Sequence, residues 1–405
     1  MDWNVDTKLS TITLDNCSTN DAMIPFVLDK LQPNSLLLSG QLLHMRCCAH
    51  ILNLVVKDGL DIIKEGIIKL RESVTFWTGT PKRREKFAIT AKQVGVTVTK
   101  QLSLDCLTRW NSTFLMLQTA LMYEDVFRRL KQRDTQFKNY PSDQEWGFAR
   151  EVCGRLKLFY SVTEMFSGTK YPTANIYFPK ICEIRLALVE WLTCPIDYVR
   201  KMAKNMLDKF NKYWDVIHGL MGVAAVLDPR YKMTLLEYYF PKVYGNETSD
   251  AQVDRIRQLC YDLVLEYQSR VSSERRYDDS NFTHSNLTSS GDDALADFDM
   301  YVRSKKRART SYVKTELDHY LEEEVLPRTP DFDILLWWKQ NGVKYPTLQA
   351  IARDLLAIPV STVASESAFS TSGRLVSSHR SKLHPKTVEA LMCAQNWLWA
   401  AEKGK

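Results

Sequence analysis

The groups in this chain that could do chemistry are a few acids, one Cys/His cluster, and cations set beside aromatic rings. Glu366 is the one acid in a run of small residues, Ala364-Ser365-Glu366-Ser367-Ala368-Phe369-Ser370. Such a run lets other elements approach the backbone while a single carboxylate points to one place. Asp15 stands just past a strand-like stretch, Lys8 to Leu14, and ahead of a helix start at Asn20-Asp21. There it could project a carboxylate into a site, or it could close an Asx-turn or cap the helix. His44, Cys47, Cys48 and His50 fall within seven residues. Four ligands that close together do not easily surround a tetrahedral zinc ion, and structural zinc sites usually draw on two separated segments. The sequence has no second Cys/His cluster. A structural role for Cys47 and His50 is therefore the expectation, and no metal is assigned.

Arg109 beside Trp110, at the start of a helix, offers either an aromatic anchor for the core or a surface on which a base could stack. Core placement is the commoner use of Trp. Two basic runs could meet phosphates. One follows Thr80-Pro81 and contains Lys82, Arg83, Arg84 and Lys86; the other is Arg303-Ser304-Lys305-Lys306-Arg307-Ala308-Arg309. A solvated face is the ordinary fate of such runs, and the second also reads as a nuclear-import signal. Trp337 and Trp338 are adjacent and cannot both face one core, so one is expected to meet another element or a partner.

The elements that must position these groups follow from periodicity and punctuation. Lys8–Leu14 and Leu42–Cys47 read as strands. A long helix begins at Cys48, with Ile51, Leu54, Val55, Ile62 and Ile63 as its apolar stripe. Helices then continue to about Gln268. Among them is one opened by a Ser142/Glu145 capping box, and Leu227-Asp228-Pro229-Arg230 forms a turn in which Asp228 is structural. Ser272–Arg309 shifts to Ser, Asp, Asn and Thr and reads as a linker. Helices resume from Thr315, with Thr329-Pro330 and Tyr345-Pro346-Thr347 as starts and Gly342 as a stop. Pro385 opens a closing amphipathic helix carrying Val388, Leu391, Met392 and Leu398.

At 405 residues the chain suggests two or three domains, and 45% hydrophobic with 25% charged residues excludes wholesale disorder. A formal charge of +6 permits nucleic-acid binding without requiring it. Nine scattered cysteines with no Cys-x-x-Cys pair, and no signal peptide, point to a reducing interior compartment. No apolar run reaches membrane-spanning length, so no membrane partner is expected.

Four blocks in order carry a resemblance: Thr13–Asp21 around Asp15, Cys47-Cys48-Ala49-His50-Ile51-Leu52-Asn53-Leu54, Arg109-Trp110-Asn111-Ser112-Thr113, and Ala364–Ser370 around Glu366. Together with the Leu227–Arg230 turn they resemble hAT-superfamily transposases, most closely the plant RICESLEEPER-like group. The resemblance implies a mainly α chain with a small α/β part, an incomplete RNase H-like domain interrupted by a long helical insertion. The expected divisions are 1–60 (partial RNase H-like segment), 61–270 (helical insertion), 271–311 (linker) and 312–405 (C-terminal dimerisation region).

The resemblance makes Asp15 and Glu366 the second catalytic aspartate and the catalytic glutamate. The family's first aspartate lies on an opening strand upstream of the Asp15 block, and neither Asp2 nor Asp6 replaces it. Two carboxylates are a weak site for divalent ions. The expectation is therefore a transposase relic without catalysis and without a cofactor, with Mg or Mn needed only if catalysis is retained. Arg109, Trp110, Lys305, Lys306 and Arg307 are expected at DNA. Trp337, Trp338, Phe369, Leu391 and Trp397 are expected at a dimer surface with a second copy or a related hAT-domain protein. The expected location is the nucleus. A fragment of an active transposase and a pure interaction scaffold are the alternatives.

Overall fold

A computed structural model describes residues 9–31, 36–97, 100–215, 218–281, 314–367, 369 and 383–403. The α/β part is small. Strand β1 (Ile12–Leu14) lies parallel to β2 (His44–Arg46), with Ile12, Thr13 and Leu14 opposite His44, Met45 and Arg46. A parallel pair needs a crossover, and helix α1 (Ser18–Lys30) lies on it. Both strands are shorter than their apolar and β-branched residues suggested.

Helix α2 (Cys48–Ile63) starts directly after β2 and buries Cys48, Ile51, Leu52, Val55, Val56, Gly59 and Ile63; of the stripe expected of it, Ile51, Val55 and Ile63 are buried, while Leu54 is partly exposed and Ile62 exposed. The chain continues as α3 (Ile68–Thr78), α4 (Pro81–Gln93), α5 (Trp110–Met122), α6 (Glu124–Arg133) and α7 (Asp143–Phe166). After these come α8 (Ala174–Trp191), α9 (Asp197–Trp214), α10 (Gly219–Val226), α11 (Lys232–Tyr244) and α12 (Asn246–Asn281). The molecule is mainly α, as expected. Local signals account for several starts. Ser142 and Glu145 make the reciprocal capping box of α7, and Thr80 caps α4 with Pro81 in its first turn. Helix α12 extends through Asn281, so helix occupies residues 271–281, where composition suggested linker. The rest of that stretch, including Lys305, Lys306 and Arg307, lies outside the described residues.

Most buried apolar side chains form one cluster from Leu37 and Met45 through the middle helices to Ile358 and Val360, and Leu31, Leu36 and Leu43 form a small second one. Three short helices after the gap dock on it: α13 (Glu316–Glu322), α14 (Ile334–Asn341) and α15 (Pro346–Leu356). Their anchor is the turn between α10 and α11. Asp228 is fully buried and accepts from Arg230 Nε (2.9 Å) and Nη2 (2.6 Å), and from Asn175 Nδ2 (2.9 Å). Lys232, buried and held at a left-handed φ of 49°, donates to the carbonyls of Tyr320 (2.6 Å) and Glu323 (2.8 Å). Tyr320 returns a bond to the Val226 carbonyl (3.0 Å), and Trp338 Nε1 donates to that of Leu227 (2.9 Å).

Trp338 therefore belongs to the protomer's own core, not to a free surface as expected. Trp337 is half-buried, at right angles to it. In the closing helix α16 (Pro385–Lys403) Leu391, Trp397 and Leu398 are exposed, and none of its described side chains is buried.

Candidate functional site

Residues 359–362 bring the chain back to its beginning. Thr13 Oγ1 donates to the Pro359 carbonyl (2.7 Å), and the Cys48 N–H donates to that of Val360 (2.9 Å). Val360 N–H reaches Thr173 Oγ1 (3.3 Å), while Ser361 Oγ donates to the Phe166 carbonyl (2.7 Å). Strand β1, the start of α2 and the end of α7 thus pin one short segment. A helical turn over 363–367 follows, and Glu366 is on it. Thr362 governs this acid: its N–H reaches Cys47 Sγ (3.3 Å), and its Oγ1 lies 3.2 Å from the same sulfur and 2.7 Å from Glu366 Oε1. A hydroxyl has one proton to give, and the carboxylate is the stronger acceptor. Cys47 is fully buried at β2's end, with its N–H on the Leu14 carbonyl (2.6 Å). It joins the N-terminal sheet to the segment bearing Glu366.

Glu366 opens onto a cleft of about 700 Å³. Helix α2 contributes His50 and Asn53, one turn apart on one face; the start of α5 contributes Arg109, Trp110, Asn111 and Ser112; Thr163 and Ser167 come from the end of α7. The α5 start is rigid for a local reason. Asp105 takes Arg71 bidentately (2.9 and 2.7 Å) and Thr113 Oγ1 (2.7 Å). Burial alone would push the Asp105 carboxyl up, but the bonds from Arg71 and Thr113 outweigh it and hold the group below its ordinary value. Ser112 Oγ accepts from the Cys106 N–H (2.8 Å) and lies 2.7 Å from the Arg109 carbonyl, closing the preceding loop. Hydrogen bonds from Thr108 lower the exposed Cys106 thiol.

Three of the four blocks thus meet at one cleft. Within it Arg109 is exposed, His50 is partly so, and Trp110 is only 3% exposed with its ring 6.5 Å from Phe114. The expectation that Trp110 presents a face to a base is corrected: in this conformation the indole is a wall of the core. Asp15 is not among the residues lining the cleft. It is exposed, and its carboxylate accepts from Asn20 Nδ2, the local-turn use left open by its position. Among the described residues the cleft therefore offers one carboxylate beside a guanidinium and an imidazole. That donor set does not fit a pair of divalent cations, which need several oxygen ligands. Among the described residues no group of three or more His, Cys, Asp or Glu is placed to hold a metal. Phe369, Leu391 and Trp397 are exposed.

Sequence reasoning missed Thr362, Asn53 and the Arg71–Asp105 pair. Thr362 precedes Glu366 by one helical turn and Asn53 follows His50 by about one, so both spacings were visible. Arg71 and Asp105 lie 34 residues apart and carry no local signal.

Comparison with known proteins places this architecture in a family. Residues 45–155 match the ZBED1 RNase-like helical domain, 175–267 the hAT-like transposase RNase-H fold, and 316–398 the hAT family C-terminal dimerisation region. The chain belongs to the hAT transposase-derived proteins. Within them it is RICESLEEPER-like. It is 38% identical to the zinc finger BED domain-containing protein RICESLEEPER 2 of Oryza sativa subsp. japonica, over 98% of this chain and 57% of that protein. It is likewise 38% identical to a putative AC transposase of Zea mays, over 99% of this chain and 50% of that protein. To the zinc finger BED domain-containing protein DAYSLEEPER of Arabidopsis thaliana it is 33% identical, over 98% of this chain and 55% of that protein. The chain spans between half and three-fifths of these relatives' lengths.

Proposed function

We propose that this chain is a self-associating, DNA-binding, nuclear protein of transposase descent that does not itself cut and join DNA. The observation that carries the self-association is helix α16, whose Leu391, Trp397 and Leu398 are exposed in the region matched to hAT dimerisation. Exposed aromatic and aliphatic side chains on one helix are what an interface between copies uses. DNA binding is supported by descent and by the exposed Arg109 at the cleft mouth, with Lys305, Lys306 and Arg307 assigned to nuclear import or phosphate contact. The reading that it does not transfer strands is supported by Glu366 being the one carboxylate among the described residues lining the cleft, with Asp15 engaged by Asn20 outside it. The four divisions 1–60, 61–270, 271–311 and 312–405 remain our reading of how the RNase H-like part is interrupted.

Identity with a putative transposase along 99% of the chain favours one second reading, a portion of an active enzyme. Incubating the chain with nicked and hairpin duplex and manganese, beside Glu366→Gln, separates the two. No product in either sample is expected. A metal-dependent product that disappears in the variant establishes the second reading instead.

A further inference from the structure

Positive charge is unevenly distributed along this chain. Residues 81–140 carry twelve Lys and Arg against five Asp and Glu, an excess of seven, whereas the whole chain, with 54 against 48, has an excess of six. This segment folds as α4, α5 and α6, and α4 packs along α6. Two polar contacts cross the seam between them: Lys86 Nζ to Asp134 Oδ2 (2.6 Å) and Arg133 Nη1 to Gln93 Oε1 (2.6 Å). Lys82 precedes Lys86 by one turn on α4, and Arg129 precedes Arg133 by one turn on α6, so two rows of cations flank the same groove.

All four are exposed, and among the described residues only Lys86 of the four meets a carboxylate. Arg129 and Arg133 are oriented by glutamine amides, Gln132 (3.4 Å) and Gln93. Beside them Arg84 Nε donates to the Thr78 carbonyl (2.7 Å), and Arg83 stacks 3.7 Å over the Phe76 ring. Cations held by neutral partners keep their full charge outward, with part of their side-chain freedom already lost.

We infer that the α4–α6 seam is a docking surface for the phosphodiester backbone of duplex DNA. The inference rests on the DNA-binding reading above and gives it a place in the folded part of the chain. Lys82 to Gln93 spans about 16 Å of helix. That is long enough to follow several phosphates of one strand, spaced about 3.4 Å along the duplex axis. The groups are phosphate binders with no base-reading geometry, so the contact positions the protein without selecting sequence.

The test uses the full chain, a mixed-sequence duplex and fluorescence anisotropy over a range of salt. One variant carries Lys82→Gln, Arg129→Gln and Arg133→Gln. A charge-matched control carries Lys204→Gln, Lys212→Gln and Lys339→Gln, exposed cations of α9 and α14. The seam variant is expected to make the slope of log affinity against log salt shallower by about two to three, and to weaken low-salt binding about tenfold or more. The control is expected to stay within about twofold. Identical isotherms for seam and control variants overturn the inference and leave the DNA-binding reading standing. A wild-type chain that fails to bind at low salt overturns both. Should circular dichroism show the triple variant misfolded, Lys82→Gln and Arg129→Gln alone are read the same way, each removing about one from the slope; unchanged slopes then overturn the inference.

Discussion

Asp228 and Glu366 are both acids beside a turn, yet their surroundings give them opposite parts. Asp228 has no exposed surface, and the hydrogen bonds to its carboxylate come from Arg230 and Asn175. Arg230 itself lies 4.6 Å from the centre of the Phe332 ring, so the pair also touches the C-terminal segment. Removing one partner of a buried pair leaves an uncompensated charge, worth about 3–5 kcal/mol. Asp228→Ala is expected to destabilise the chain by that order, read as a shift in the urea midpoint. Asp228→Ala combined with Arg230→Met should recover part of the loss; a single variant within 1 kcal/mol of wild type, on the scale of ordinary surface changes, refutes the anchor role. Glu366, in contrast, is exposed and held by one hydroxyl. Its replacement by Gln should leave stability nearly unchanged, since surface substitutions stay within about 0.5 kcal/mol.

Some elements meet through polar groups at their ends. His218 immediately precedes α10 and contacts β2: burial pushes its imidazole down to about 4, opposed by a hydrogen bond it donates to the His44 backbone and aided by nearby Arg255 and His44. Its Nδ1 is buried without a partner among the described residues. His44 in turn lies 3.8 Å from Asp21 of α1 and near Arg46, and burial lowers it too. Because the folded state disfavours the imidazolium, the unfolded chain binds a proton more readily between the ordinary value and about 4. Stability should therefore fall as pH drops through that window, by on the order of 3 kcal/mol from this group. Urea titrations at stepped pH check this: His218→Gln should flatten the slope, and an equal slope in the variant assigns the acid sensitivity elsewhere. Asp105 adds a lower limb. Its folded value is depressed, so its contribution is present at neutral pH and is lost only as pH falls below the ordinary carboxylate range.

At the scale of the molecule, the described protomer core ends at Val360, and no described side chain of α16 is buried. Trp397 is 71% exposed and Leu398 66%. If two copies meet there, Trp397→Ser with Leu398→Ser should weaken self-association about tenfold or more, since an interface Trp commonly contributes at least 2 kcal/mol. Sedimentation equilibrium reads this directly, and a wild-type chain monomeric at high concentration removes the claim. Trp338→Ala should act differently, lowering monomer stability by about 3–5 kcal/mol through the lost core volume. The adjacent tryptophans thus answer to different measurements from Trp397, although all three read alike as interface residues in the sequence.

Local pattern determined much of this protein without help. The start of α2 and part of its stripe, the capping box at Ser142, the Thr80-Pro81 start and the structural turn at Asp228 all depend on neighbours within a few residues, whose spacing is written in the chain. Resemblance of four short blocks was enough to reach the family. What only the tertiary structure decided is which distant groups share a space. Cys47 meets Thr362 across 315 residues and Thr13 meets Pro359 across 346, contacts with no local periodicity to announce them. The same holds for Trp110, which the chain could have turned outward and which packing on Phe114 turned in. Asp15 and Glu366 looked equivalent as lone acids; only the closing of residues 359–362 onto the sheet put one on the cleft and left the other to its own turn. Burial and long-range bonding depend on where the rest of the chain returns, and that is set by the packed core as a whole.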